Sequence, residues 1–97
     1  MIVEEDCAAA ADRGEFYYFH DGQRSYLRSM VAYFLGEVCQ ENGTISEGVL
    51  VIDTEAAGFF KEADRDFLDF CLREFGARLR LEMLLIALIT TQQAANP

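Results

Sequence analysis

The chain has 97 residues, which suffice for one compact domain and are too few for two cores of efficient size. Hydrophobic residues make up 52% and charged residues 26%, proportions that exclude intrinsic disorder, collagen and low-complexity sequence. Seventeen acidic and eight basic residues give a net charge of −9, which argues against direct binding to nucleic-acid phosphates or to anionic membranes. We predict one acidic globular domain over residues 1–97, whose charged partners are basic.

The amino-terminal residues predict a short helix. Good helix formers occupy residues 8–11 after an acidic start at residues 4–6, where a helix dipole favours negative charge. We expect this helix to lie within residues 2–12 and to end at Gly14. Residues 15–20 contain four consecutive aromatic side chains, which suit a pleated, partly buried surface and predict a strand.

Residues 24–41 carry the clearest helical pattern. Their apolar residues recur at spacings of three and four: Leu27, Met30, Val31, Phe34, Leu35 and Val38. Asn42 and Gly43 follow, and both tolerate the left-handed conformation that ends many helices. We predict the first of two long amphipathic helices here.

The next segment predicts a buried strand followed by the second long helix. Residues 48–53 form a continuous β-branched run bounded by turn formers, which favours a central strand with both faces covered. Residues 55–60 are expected to form a helical turn or a structured loop, because Gly58 interrupts them. Residues 61–75 place their apolar side chains on one stripe, which predicts a helix that ends before Gly76.

Two interpretations compete for residues 78–91. Residues 78–83 alternate between charged and apolar, which predicts a strand, whereas the good helix formers and the lack of a breaker favour a helix. A helix here would be apolar all round and could be buried only with the help of a partner subunit, so we prefer the strand. Residues 92–97 are expected to fray.

These elements predict an α+β fold. About three strands form one sheet, two long helices at residues 24–41 and 61–75 pack on it, and a short helix precedes them. The longest apolar run, residues 83–89, is far shorter than the roughly 20 residues needed to cross a bilayer. No signal peptide is evident, and three widely spaced cysteines fit a reducing compartment, so we expect a cytoplasmic protein.

The sequence contains no motif that is typical of a catalytic or cofactor-binding site. Cys7, Cys39, Cys71 and His20 have the membership of a zinc site but not the short spacing that structural zinc sites use. A cysteine nucleophile activated by His20 is a third hypothesis, although His20 beside Asp21 is more typical of a polar turn. No glycine-rich loop leads into a helix. We predict a non-catalytic protein without metal or cofactor.

The surplus of acid is concentrated towards the amino terminus. Residues 1–60 hold eleven acidic and three basic residues, whereas residues 61–97 hold six and five. On a rigid frame such charge would imitate a nucleic-acid backbone and be steered towards a basic groove. The partner-binding candidates are Glu4, Glu5, Asp6, Asp12, Glu15, Asp21, Glu37 and Glu41.

The first functional hypothesis is therefore an inhibitor that occupies the nucleic-acid-binding surface of a basic partner protein. Small phage-encoded inhibitors, some anti-CRISPR proteins among them, are similar in size and charge alone. The alternative is a dimeric adaptor or chaperone-like domain that binds a copy of itself or a client through an apolar surface near residues 79–89. High salt would weaken the first kind of complex and spare the second.

Overall fold

The computed structural model describes residues 1–95 and has an α+β architecture built on one antiparallel sheet. The strands lie in the order β1-β2-β3, so β2 is central. Two short 3₁₀ helices occupy Asp21–Ser25 and Glu62–Asp64. The regular elements in chain order are β1 Ile2–Glu4, α1 Cys7–Asp12, β2 Ser29–Cys39, β3 Ile45–Thr54 and α2 Arg65–Ala95.

The predicted helix at residues 24–41 is wrong, because most of this segment forms strand β2. The side chains that β2 buries towards α2 include Val31, Leu35 and Val38, which are four and three residues apart. A β-bulge between Phe34 and Gly36 produces this spacing, since one extra residue shifts the two-residue alternation of the strand. Gly36 has φ +79°, which glycine adopts without strain.

The predicted strand at residues 48–53 is confirmed and lengthens to β3, but the prediction that it is central is wrong. Strand β3 lies at the edge of the sheet and pairs with β2 alone. Its Val49 and Val51 are about half exposed, so only one of its faces is covered. A tight turn over residues 40–44 joins the two strands, with Gly43 in the left-handed conformation at φ +86°.

Helix α2 overturns the prediction that a helix over residues 61–75 is followed by a strand over 78–91. One helix of 31 residues runs through Gly76 to Ala95. Gly76 does not end the helix, because it lies where α2 crosses the sheet most closely: an added Cβ would lie 2.8 Å from Cδ2 of Leu35. The expected fraying of residues 92–97 falls partly outside the described residues, and up to Ala95 the chain is helical.

The amino-terminal helix is confirmed, although it is shorter than predicted because residues 2–4 pair with β2 instead. Helix α1 begins after Asp6, whose Oδ1 accepts a hydrogen bond from Ala9 N at 3.1 Å. The strand predicted at residues 15–20 is wrong. This segment is a loop, in which Phe19 is 93% exposed and Tyr18 Oη donates to the carbonyl of Leu27.

The core is small and lies between the sheet and α2. Val31, Phe60 and Leu72 form its buried centre, and Ser29 is fully buried beside it. The radius of gyration is 16.9 Å, whereas a compact chain of this length has about 12.5 Å. The molecule measures 54 × 30 × 19 Å, because α2 extends along and beyond the sheet. None of the helices in residues 1–95 has the length and apolar character needed to cross a membrane.

Candidate interaction surface

Helix α2 lies on the sheet through one narrow row of side chains, the inner stripe. Its members are at least half-buried and recur at spacings of three and four: Leu68, Leu72, Gly76, Leu79, Met83 and Ala87. Leu72 contacts the core with Val31, and Gly76 brings the helix close to β2. Outside this stripe most residues of α2 up to residue 94 are exposed.

The opposite side of α2 carries a second row, the outer stripe, at alternating spacings of four and three. It comprises Phe67, Cys71, Glu74, Arg78, Leu81, Leu85 and Leu88, and every member is exposed. Phe67 is 70% exposed, and Leu81, Leu85 and Leu88 are close to half exposed. Ile86 and Ile89 beside this row are exposed to a similar degree. Exposed apolar residues that are clustered in this way are candidates for an interaction surface.

Two charged residues divide the outer stripe. Glu74 and Arg78 are consecutive members of the row, one helical turn apart, with Phe67 and Cys71 before them and the leucines after them. Arg78 Nε donates to Glu82 Oε1 at 3.0 Å, an exposed pair on the flank of the row. Such a pair contributes little to stability in water, so Arg78 is available to another carboxylate.

A shallow groove runs beside the outer stripe, between α2 and the far end of the β2–β3 hairpin. Its volume is about 380 Å³, and its walls include Val38 and Ile45 from the hairpin with Leu81 and Leu84 from α2. Arg80 bridges the two walls, because its Nη1 donates to the carbonyl of Leu35 at 3.0 Å. The groove extends the apolar surface of α2 towards the sheet.

The face of the sheet that points away from α2 is partly exposed: Phe34, Val49 and Val51 are about half exposed, whereas Ala32 is buried. The pairing register places Ile2, Ala32 and Val51 in one row across it, and Phe34 beside Val49 in the next. The carboxylates on this face are Glu4, Glu37, Glu47 and Asp53, and no lysine, arginine or histidine lies in any of the three strands. Glu37 lies directly opposite Glu47, a like-charge pair that destabilises a sheet in isolation.

Four of the eight predicted acidic partner-binding residues have local structural contacts. Asp6 caps α1, and Glu5 Oε1 accepts from Glu62 N at 2.8 Å. Asp12 pairs with Arg24 and Glu15 pairs with Arg13, which partly neutralises both carboxylates. The pairing with Asp12 also raises the pKa of Arg24.

The other four lie on four different segments of the chain. Glu4 and Glu37 share the outer face of the sheet, but the register separates them by seven residues of β2, about 23 Å. Asp21 begins a 3₁₀ helix, and Glu41 lies in the hairpin turn. The eight carboxylates therefore lie on several elements, and the hypothesis that they bind a partner stays a prediction.

The three cysteines and His20 lie on separate elements. Cys7 is fully buried in α1, and burial together with the nearby carboxylates of Glu4, Asp6 and Asp53 raises the pKa of its thiol to about 11. A thiol in this state is a poor nucleophile at neutral pH. Cys39 is half-buried in β2, Cys71 is exposed on the outer stripe, and His20 is an exposed residue before a turn. Within residues 1–95 no group of three or more His, Cys, Asp or Glu side chains is placed to hold a metal ion.

Sequence reasoning found the apolar part of this surface at residues 79–89 but missed Phe67, Glu74 and Arg78. The signal that could have found them is the alternation of four and three from residue 67 to residue 88, which continues through Gly76 without interruption. Assigning Gly76 to a helix end divided the pattern in two.

No protein-family model, curated protein or solved structure matches this chain.

Proposed function

We propose that this chain is a non-catalytic interaction domain that binds another protein chain through the apolar outer side of α2. The observation that carries the proposal is the exposure of Leu81, Leu85 and Leu88 on the side of α2 that faces away from the sheet. An all-apolar helix segment needs a covering partner, because water against Leu81, Leu85 and Leu88 costs free energy that burial recovers.

Burial of this surface would supply a large driving force. Each fully buried leucine or phenylalanine side chain contributes about 1.5 to 3 kcal/mol relative to full exposure. The members of the outer stripe are already partly covered by their neighbours, so each would gain about half of that. Aromatic and leucine anchors of this kind dominate the affinity of protein interfaces.

A second candidate function is supported by the outer face of the sheet. Its apolar centre around Phe34 and Val49 is bordered by carboxylates and has no basic side chain from the three strands. This arrangement favours a partner with a basic rim, in keeping with the hypothesis that the protein occupies a basic nucleic-acid-binding surface. The two functions use opposite faces of the molecule, and one chain has room for both.

Salt and two matched variants distinguish the candidates. We expect complexes captured from source-cell extract by the tagged chain, including those with untagged copies of itself, to survive 1 M salt and to be lost in Leu85→Asp. Gln93→Asp adds the same charge to exposed α2 surface outside the outer stripe and should leave them intact. Complexes that dissolve in 1 M salt, resist Leu85→Asp and disappear in Glu37→Gln would instead support binding through the acidic sheet face.

A further inference from the structure

We propose that the partner of the outer stripe is a second copy of this chain, paired antiparallel so that Glu74 of each chain faces Arg78 of its partner subunit. This inference rests on the proposed function, because it names the protein that the apolar surface binds. It is carried by the spacing of the stripe, by the order of its charges and by its length.

The spacing of the outer stripe suits a helix rather than a sheet or an irregular loop. Alternation of four and three residues keeps a row of side chains facing one partner helix when the two cross at about 20° in a left-handed sense. The row from Phe67 to Leu88 spans 22 residues, about 33 Å of helix. In an antiparallel pair the stretch from Phe67 to Leu85 overlaps, which gives about 28 Å of contact along the two helices.

The two charges of the stripe determine the direction of the pairing. A parallel, in-register pair would set Glu74 against the partner's Glu74 and Arg78 against the partner's Arg78, two like-charge contacts in an apolar surrounding. In an antiparallel pair, residue 76 of one helix can lie beside residue 76 of the other. This alignment sets each Glu74 against the partner's Arg78. No other antiparallel alignment of the stripe pairs both charges with opposite ones.

The same alignment matches the apolar residues from Phe67 to Leu85, whereas Leu88 lies beyond them, level with Asp64 before the partner's α2. Cys71 falls opposite the partner's Leu81, and Phe67 falls opposite the partner's Leu85. No charge of the stripe is left against an apolar side chain, which avoids the cost of a buried, unpaired ion. The pairing is two-fold symmetric and closes on itself, so it yields a dimer rather than a filament.

The rest of the fold leaves room for this dimer. The outer stripe is on the side of α2 remote from the sheet, so the two helices meet in the middle and the two sheets lie outside them. The resulting order of layers is sheet, helix, helix and sheet. Glu4 and Glu37 remain on the outer faces of the two sheets. Their carboxylates stay in water there and do not face the partner subunit.

Charge reversal in the purified full chain tests the pairing. Sedimentation equilibrium should show a dimer for the native sequence, and Glu74→Arg or Arg78→Glu should each raise its dissociation constant at least about tenfold, because symmetry creates two like-charge contacts. The double variant E74R/R78E should return to within about threefold of the native constant. An equimolar mixture of E74R with R78E should dimerise, since every contact is then between opposite charges.

Two controls separate the contact from general effects. Glu82→Gln removes the pair that Arg78 makes within its own chain and should leave the dissociation constant unchanged. Far-ultraviolet circular dichroism of each variant should match the native protein, since all of the changed side chains are exposed.

A disulfide test reads the register directly, in a Cys39→Ser background. Leu81→Cys should form a covalent dimer with the partner's Cys71 on mild oxidation, whereas the parent with Cys71 alone should not. Covalent dimers through Cys71 alone, or unchanged dissociation constants in both single reversals, would overturn the antiparallel pairing. A strictly monomeric protein at millimolar concentration would overturn the dimer itself, while loss of captured partners in Leu85→Asp would still uphold the proposed function.

Discussion

Both sides of α2 carry large apolar residues, but only those of the inner stripe are covered by the rest of the chain. The inner stripe, which packs on the sheet, has glycine at its centre and alanine near its end, and both are buried. The outer stripe carries phenylalanine and leucine, and these are exposed. A helix that served only its own chain would not leave a row of phenylalanine and leucine exposed, because the free energy gained by apolar burial scales with area. The small inner residues set a close helix–sheet approach, and the large outer ones are left for a different surface.

The first test of this contrast makes the same substitution on each side. Leu72→Ala should lower the free energy of unfolding by about 3 kcal/mol, because Leu72 is buried against Val31 and Phe60 and its removal leaves a cavity. Leu85→Ala should cost under about 1 kcal/mol at a concentration where the chain is monomeric. Urea unfolding at low and high protein concentration measures both. Equal losses that do not change with concentration would contradict a division of labour between the two sides.

The second test enlarges the smallest residue of the inner stripe, Gly76. Gly76→Val should destabilise the fold by about 2 kcal/mol, because even a Cβ at this position approaches Leu35 and Tyr33 too closely. Ala77→Val, at the next and exposed position, should cost about 0.5 kcal/mol through helix propensity alone. Thermal unfolding of the pair gives the comparison. If both variants lose the same amount, the close approach of α2 to β2 does not depend on glycine.

The same closeness explains why the sequence misled at Gly76. Local rules make glycine a helix end, and the residue's neighbours across the fold, which decide the matter, are more than forty positions earlier in the chain. The alternation at residues 78–83 pointed to a strand for a similar reason, since an apolar helix was judged impossible to bury in so small a domain. That physical objection was sound. The chain forms the helix and leaves its apolar residues exposed, and in the proposed function a partner surface covers them.

Strand β2 was missed because a bulge gave it the wrong period. Inward residues Val31, Leu35 and Val38 match a helix in spacing, and only the register with β3 shows that the bulge between Phe34 and Gly36 is responsible. By contrast, β3 and the start of α2 were predictable, since an unbroken β-branched run and a clean helical stripe leave one interpretation each. The α+β class followed from those two elements.

A third test concerns the joint that holds α2 over the sheet. Ser29 is fully buried, and its Oγ donates to the carbonyl of Glu4 at 3.1 Å while accepting from Phe60 N at 3.0 Å. Ser29→Ala should cost about 1.5 kcal/mol, because the amide of Phe60 is left buried without a partner. Ser25→Ala removes an exposed bond to Gly22 and should change the free energy of unfolding by less than about 0.5 kcal/mol. A smaller loss at Ser29 than at Ser25 would show that β1 and the segment before α2 are held by apolar packing alone.

The smallest expected effect contrasts a thiol of the interior with one of the outer stripe. Cys71 is exposed and should react with a thiol reagent at pH 7.5 more slowly as protein concentration rises, because association covers it. Cys7 should stay unmodified in the same assay, since its pKa is raised from 9.0 to about 11 by burial and by nearby carboxylates.

A raised thiol pKa favours the neutral form in the folded state. The contribution of the Cys7 thiol to the free energy of unfolding is therefore complete below pH 9. It is lost as pH rises towards 11, because the thiol of the unfolded chain ionises first. At pH 9.5 the loss due to Cys7 should be under about 1 kcal/mol, and this part of the loss should be absent in Cys7→Ala. The pKa of Tyr18 is also raised by burial, but Tyr18 is present in both proteins and its effect cancels in the comparison. An alkaline loss of the same size in Cys7→Ala would assign the effect to other groups.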